Sequence, residues 1–419
     1  MFENLDRKKI ILLVGVVAAV LVLGWLVILL FPSAQLPQPP SNQNTNQPVN
    51  FPVGINGNVN TGTIGGTNLP LANGNANSTD GAPSIGGQPT AGGFTPATTL
   101  TTGQALAPTG GTGSTVRYYD AQDGKFYELG PNGSKQALLD VAYPQVQQVT
   151  WSPKSTSAIL EFPDGAKVLY DFDKQKQFAL PKQMTEFSFA PDASKIAGKF
   201  IGETAADTWI TTVNPDGSGL TGIEPMGENA DKVEVAWAPN NQVVALSRTG
   251  NPAGLFQQNV LLIGFNSENF RNLTVDGRGF DAEWTPDGNR LLYSVYSDKT
   301  NYRPMLWLAD AATDRVGANK QVLNLNTWVD KCTLSGSTAY CAVPKTLPEG
   351  AGFSRELAVG IPDYIYRVNL TTGGTALIAE PVGDRGTGLT ATNLTVSGDG
   401  SLLYFTDSTG RLRSIKLQP

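Results

Sequence analysis

The chain has 419 residues, a formal net charge of -6 and no histidine. The negative balance argues against binding nucleic acid through phosphate neutralisation, and the missing histidine removes His-based triads, His metal sites and the commonest general base near neutral pH. Two cysteines, Cys332 and Cys341, are too few for a thiolate zinc site, so neither metal nor cofactor is expected. Any catalysis would run on Asp, Glu, Lys, Tyr, Ser or Thr.

Residues 1–9 form a polar head carrying Arg7, Lys8 and Lys9, which places a short cytoplasmic segment first. Residues 10–31, from Ile10 to Phe31, contain no charged side chain. As a helix this run would be about 33 Å long, enough for a hydrocarbon core of about 30 Å. The flanking cations all precede it, so the positive-inside rule puts the N-terminus in the cytoplasm and the rest outside the cell membrane. The run is longer than the apolar region of a cleaved signal peptide, and 32–34 make a poor cleavage site, so it is read as a single-pass anchor. Residues 32–114 are rich in Asn, Gly, Thr, Pro and Gln, with Asp80 the one charged side chain. Too little apolar surface is present to offset the entropy of ordering, so a disordered tether is expected there.

From Thr115 onward the composition changes to short β-branched and aromatic runs broken by Gly, Asp, Asn and Pro, the signature of an all-β domain over 115–419. One pattern recurs: a strand ending in an aromatic residue, a tight turn, and a second apolar strand. It reads Trp-Ser-Pro at 151–153, Ala-Pro-Asp at 190–192, Trp-Ala-Pro at 237–239 and Trp-Thr-Pro-Asp-Gly at 284–288, with a weaker copy at 397–400. Each copy is followed by two further strands joined by a polar turn, so each unit supplies four strands, the build of a propeller blade.

These residues resemble the TolB-type, WD-like β-propeller repeat, and the resemblance covers 115–419. It implies a propeller fold and says nothing specific about function, because propellers host many activities. The chain differs from TolB in having an anchor and tether where TolB has a folded N-terminal domain. The last strands supply positions one to three of a blade, and 116–139 supply positions two to four of another. Both being second and third strands, they belong to different blades, which favours seven blades over six and requires the two ends of the domain to meet.

Cys332 and Cys341 fall opposite each other across a two-residue turn at Gly336 and Ser337. That register brings their Cα atoms close enough for a disulfide, and an extracytoplasmic location permits its oxidation. Three inner strands carry an acid three residues before their aromatic: Glu186, Glu234 and Asp281. Gln148 and Asn393 take the equivalent places, and Asp330 lies one residue off register. Inner strands line the channel, so these acids are expected near one mouth, able to attract a cation or a Lys/Arg-bearing peptide. The loops between second and third strands open on the same face, and Trp328, Tyr302, Arg303 and Arg355 there suit contact with a partner.

The run 214–219 lacks the spaced oxygens of a calcium loop and reads as a turn. No phosphate-cradling glycine loop precedes a helix, so no nucleotide is expected. The reading is a non-enzymatic, membrane-tethered scaffold at the cell envelope that binds a protein, peptide or glycan. The alternative is a carboxylate-based glycoside hydrolase or lyase acting on polysaccharide, and two acids converging in the channel with raised pKa values would favour it.

Overall fold

The computed structural model describes residues 90–417 apart from 131, 132, 267 and 269. Within them seven sheets follow one another as seven propeller blades, each with four antiparallel strands meandering outward from the channel. The inner strands are Ala105–Gly110, Gln148–Trp151, Met184–Phe189, Val233–Val235, Arg278–Trp284, Cys332–Ser335 and Thr392–Val396.

Ring closure explains why seven blades hold together. The last blade takes three strands from the end of the chain, and its fourth, Thr98–Thr99, comes from before the first blade and pairs antiparallel with Leu412–Lys416. Beside it, Phe94–Pro96 adds a parallel fifth strand to the outer edge of the sixth blade. The propeller therefore begins well before Thr115. Residues 94–110, expected to be tether, contain two edge strands and the whole inner strand of the first blade. The expected head at 1–9, anchor at 10–31 and most of the tether lie outside the described residues; among the described residues no helix is long and apolar enough to cross a membrane.

The repeated aromatic is framework. Trp284 is buried between the fourth and fifth blades with Ala238, Val243 and Leu291, and its indole N–H donates to the Ala236 carbonyl of the neighbouring blade at 3.1 Å. Trp151 repeats this between the first and second blades, donating to the Ala107 carbonyl at 2.7 Å. An indole thus supplies apolar area and still satisfies its one donor against the adjacent inner strand. The Pro-Asp-Gly turn is equally determined. Gly288 has φ +69, and a Cβ there would stand 2.6 Å from the backbone nitrogen of Asn240 in the preceding blade. Only glycine meets both demands.

Cys332 and Cys341 are direct partners across their hairpin and form a disulfide, with Cα atoms 4.0 Å apart. The run at 214–219 is the turn between Trp209–Val213 and Thr221–Pro225, closed by Asp216 accepting from the Ser218 N–H at 3.0 Å.

Candidate functional site

Alternation along the inner strands decides where the acids go. Val233 and Val235 pack toward the third blade, so Glu234 between them faces the fifth. In the fifth blade Phe280, Ala282 and Trp284 pack toward the fourth, which leaves Asp281 and Glu283 on the opposite face, against the turn Val329–Lys331. Asp281 lies within electrostatic reach of both Glu234 and Glu283, which links the three carboxyls. All three are half-buried, enclosed by protein yet still touched by water.

Their protonation follows from this enclosure. Burial first, then the charge of Asp281, pushes Glu234 up to about 8. The Ala282 backbone N–H and Arg248 act the other way without prevailing. Asp281 is also raised, by burial and then by Asp330, against the opposing pull of Arg355, the Ala282 N–H and a hydrogen bond from Glu234. Glu283 is pushed up to about 8 by burial, with Asp281 and Asp330 adding to it. The cluster therefore sets Asp281, itself raised, beside Glu234 and Glu283, both pushed up to about 8, with Glu234 in hydrogen-bond contact with Asp281. Alternate residues of a strand are about 7 Å apart, which sets the spacing of Asp281 and Glu283 along their shared face.

The acids expected at the mouth do not form a symmetric ring. They form an arc, in which Glu161 feels Glu186, Glu234 feels Glu186 and Asp281, and Asp281 feels Asp330. Basic groups accompany it. A β-bulge between Thr185 and Ser188 holds Glu186 at φ 52, and its carboxylate accepts from the buried Lys199 ammonium at 2.6 Å. Glu161 lies 3.5 Å from Lys167 and is raised mainly by burial, and its Oε1 has no hydrogen-bond partner. Asp330 is exposed and paired with Arg355 at 2.6 Å. Next to it Lys331 makes a buried pair with Asp363 at 2.9 Å.

Of the four expected contact residues on the loops, Trp328 is buried, Tyr302 and Arg303 are half-buried and Arg355 is exposed. Trp328 is buried against Leu347 and Ala351, with the Arg355 guanidinium 4.8 Å above its ring. Arg303 donates to the Leu347 carbonyl at 2.6 Å, and the Tyr302 carbonyl accepts from the Gly352 N–H at 2.7 Å. These side chains pin the loop at 344–362 to its neighbours. Glu283 was not singled out from the sequence, although its place two residues from Asp281 was the available signal.

A cavity of about 640 Å³ opens at the other end of the fifth and sixth blades, lined by Thr285, Arg290, Asp310, Asn319 and Thr371. Its charges already serve one another: Asp310 lies 3.3 Å from Arg290 and 2.7 Å from Arg315. The acid cluster is the better site, because its protonation states are perturbed and its carboxyls converge. Among the described residues no group of three or more His, Cys, Asp or Glu side chains is arranged to hold a metal ion.

No protein-family model and no curated protein matches this chain. Solved structures with similar folds include an oligogalacturonate lyase in complex with manganese, at 16% identity and TM-score 0.53, covering 80% of this chain and 96% of that one. A second is an oligogalacturonate lyase from Vibrio parahaemolyticus, at 12% identity and TM-score 0.50, covering 77% and 93% respectively. The β-propeller domain of the Trilobed protease from Pyrococcus furiosus is similar at 11% identity and TM-score 0.49, over 75% of this chain and 96% of that one. The lyases correct the expectation of a non-enzymatic protein, since both are enzymes on this fold. At these identities the likeness establishes the fold alone.

Proposed function

We propose that the cluster of Glu234, Asp281 and Glu283 hydrolyses a glycosidic bond in an extracellular or envelope polysaccharide, on a propeller held outside the membrane by the apolar run at 10–31. The observation that carries this reading is the gathering of Asp281 with Glu234 and Glu283, enclosed carboxyls of which the last two are pushed up to about 8, in one partly dry site. Glu283, neutral near pH 7, gives its proton to the glycosidic oxygen as the C1–O bond breaks. Asp281 takes a proton from the water that attacks C1, and Glu234 steadies Asp281 through its hydrogen bond. Asp281 then releases its proton to solvent and Glu283 is reprotonated from solvent, which resets both groups. The backbone spacing of about 7 Å between Asp281 and Glu283 is compatible with a water between the two groups, the arrangement of inverting glycosidases.

Electrostatics narrows the substrate. An arc of carboxylates repels a polyuronate, so a neutral or amino-sugar glycan suits the site better than the anionic oligogalacturonate named for the structural neighbours. The test is release of new reducing ends from neutral and amino-sugar polysaccharides by the full chain, from pH 4 to 9. Activity that rises with pH, collapses as Glu283 ionises near 8, and is lost by more than about 100-fold in Glu283→Gln supports the reading. Equal release by wild type and the Glu283→Gln, Asp281→Asn double variant would sink it.

A second reading, docking of an envelope protein or peptide, is favoured by the loop face. Its long loop is pinned at many points, and an ordered loop loses less entropy when a partner binds.

A further inference from the structure

The pins of the loop at 344–362 leave its apolar side chains facing water. Val359 is 81% exposed, Phe353 61% and Leu357 45%, and on the neighbouring loop Leu255 is 78% exposed. The two loops are joined by tilted and edge-on ring contacts: Phe256 lies 6.0 Å from Tyr302, which lies 5.6 Å from Phe353. Backbone bonds add to the hold, with the Gly350 N–H donating to the Asn301 carbonyl at 3.1 Å. A mobile loop could fold such side chains onto the protein, but one fixed from beneath keeps them in water. Exposed apolar residues grouped on an ordered surface mark an interaction site.

Charge selects the occupant. On the long loop Lys345 is paired with Glu380 and Arg355 with Asp330, so the unpaired charges left there are Glu349 and Glu356. The acid arc lies on the same face. We infer that Leu255, Phe353, Leu357 and Val359 form a docking surface for a protein segment that presents aliphatic or aromatic side chains interspersed with Lys or Arg. An anionic lipid surface is disfavoured by the same acids. The inference rests on the docking reading and uses none of the hydrolytic chemistry.

The experiment is selection of a random twelve-residue peptide library on the detergent-solubilised full chain, followed by affinity measurement on the enriched peptides. Enriched peptides are expected to combine large apolar residues with Lys or Arg. Phe353→Ser and Val359→Ser are each expected to weaken them by about tenfold or more, and raising salt from low to high by several-fold. Phe353→Ser also removes a ring contact to Tyr302, so Val359→Ser, which removes none of the ring contacts, carries the test if the first variant loosens the loop, and an unchanged thermal unfolding temperature shows that each folds. Basic apolar peptides that bind both variants as tightly as wild type overturn this surface while leaving the docking reading intact. Recovery of no peptide overturns both. Binding of anionic vesicles with no peptide selected assigns the patch to lipid and overturns the inference.

Discussion

Asp287 and Glu283 stand on one hairpin of the fifth blade, and their carboxyls move in opposite directions. At the turn, burial pushes Asp287 up, but hydrogen bonds from the Thr285 hydroxyl and from the Asn289 backbone and side chain outweigh it and hold the carboxyl low. Ser194 does the same for Asp192 through its backbone N–H, and Ser218 for Asp216 chiefly through its hydroxyl. On the inner strand Glu283 is surrounded by protein and by like charges, and it is pushed up to about 8. Both are acids of one repeat. The turn end of the blade uses carboxylates as acceptors that close loops, whereas the channel end crowds them where ionisation is costly. A charge that folding leaves unsatisfied is the better candidate for chemistry.

Both ends depend on the packing between blades, so breaking that packing has the largest effect. Trp284→Ala removes a buried indole and its bond to Ala236, and is expected to cost about 3–5 kcal/mol. Because Glu283 lies on the opposite face of the strand, its raised pKa should persist if the strand keeps its place. Chemical denaturation at several pH values tests both consequences. A loss smaller than about 1 kcal/mol would show that the aromatic is not framework.

Next in size is the pH dependence at the channel end. Glu283 and Glu234 are raised above their unfolded values, so their contribution is fully present below about pH 4.5 and is lost as pH rises through about 8. Glu283→Gln cannot ionise. It is expected to match wild type near pH 5 and exceed it at pH 9 by on the order of 2–4 kcal/mol, less whatever channel water screens. Parallel stability curves for the two proteins would remove the contrast between the blade ends.

The disulfide Cys332–Cys341 follows. It stands beside the turn Val329–Lys331 at the acid end and closes a short loop, so its reduction is expected to cost about 2–3 kcal/mol. Comparing unfolding with and without reductant measures this. Hydrolysis at saturating substrate should survive reduction if the cluster is held by the blades; its loss would make the sixth-blade turn part of the site.

Much of the fold was legible because blades repeat what packing requires: an aromatic closing the inner strand, then Pro-Asp-Gly where φ turns positive. The disulfide was legible from register alone. The inner strand Ala105–Gly110 and the closing strand Thr98–Thr99 were not, because they contribute backbone hydrogen bonds with few large apolar side chains. At the site, spacing found Glu234 and Asp281 but missed Glu283, which has no equivalent in the repeat alignment. Tyr302, Arg303, Trp328 and Arg355 were placed in the right loops, yet composition does not reveal direction. Trp328 and Arg303 support the loop from its inner side and Arg355 lies exposed over the Trp328 ring, while Phe353 and Val359 face outward.

The smallest expected effect tests the turn end. Asp287 is exposed, so solvent screens its charge, and its worth lies in the Thr285 and Asn289 hydrogen bonds; Asp287→Ala is expected to cost about 1 kcal/mol. Its folded pKa is lowered, so its contribution is present above the unfolded value and lost as pH falls through the folded one, opposite in sign to Glu283. Asp287→Asn retains an oxygen to accept from Thr285 and Asn289 but carries no charge. It should keep most of the stability and lose the acid-side dependence. If Asp287→Asn instead costs as much as Asp287→Ala, the charge rather than the turn geometry is what the blade uses, and the two ends differ only in how much water reaches them.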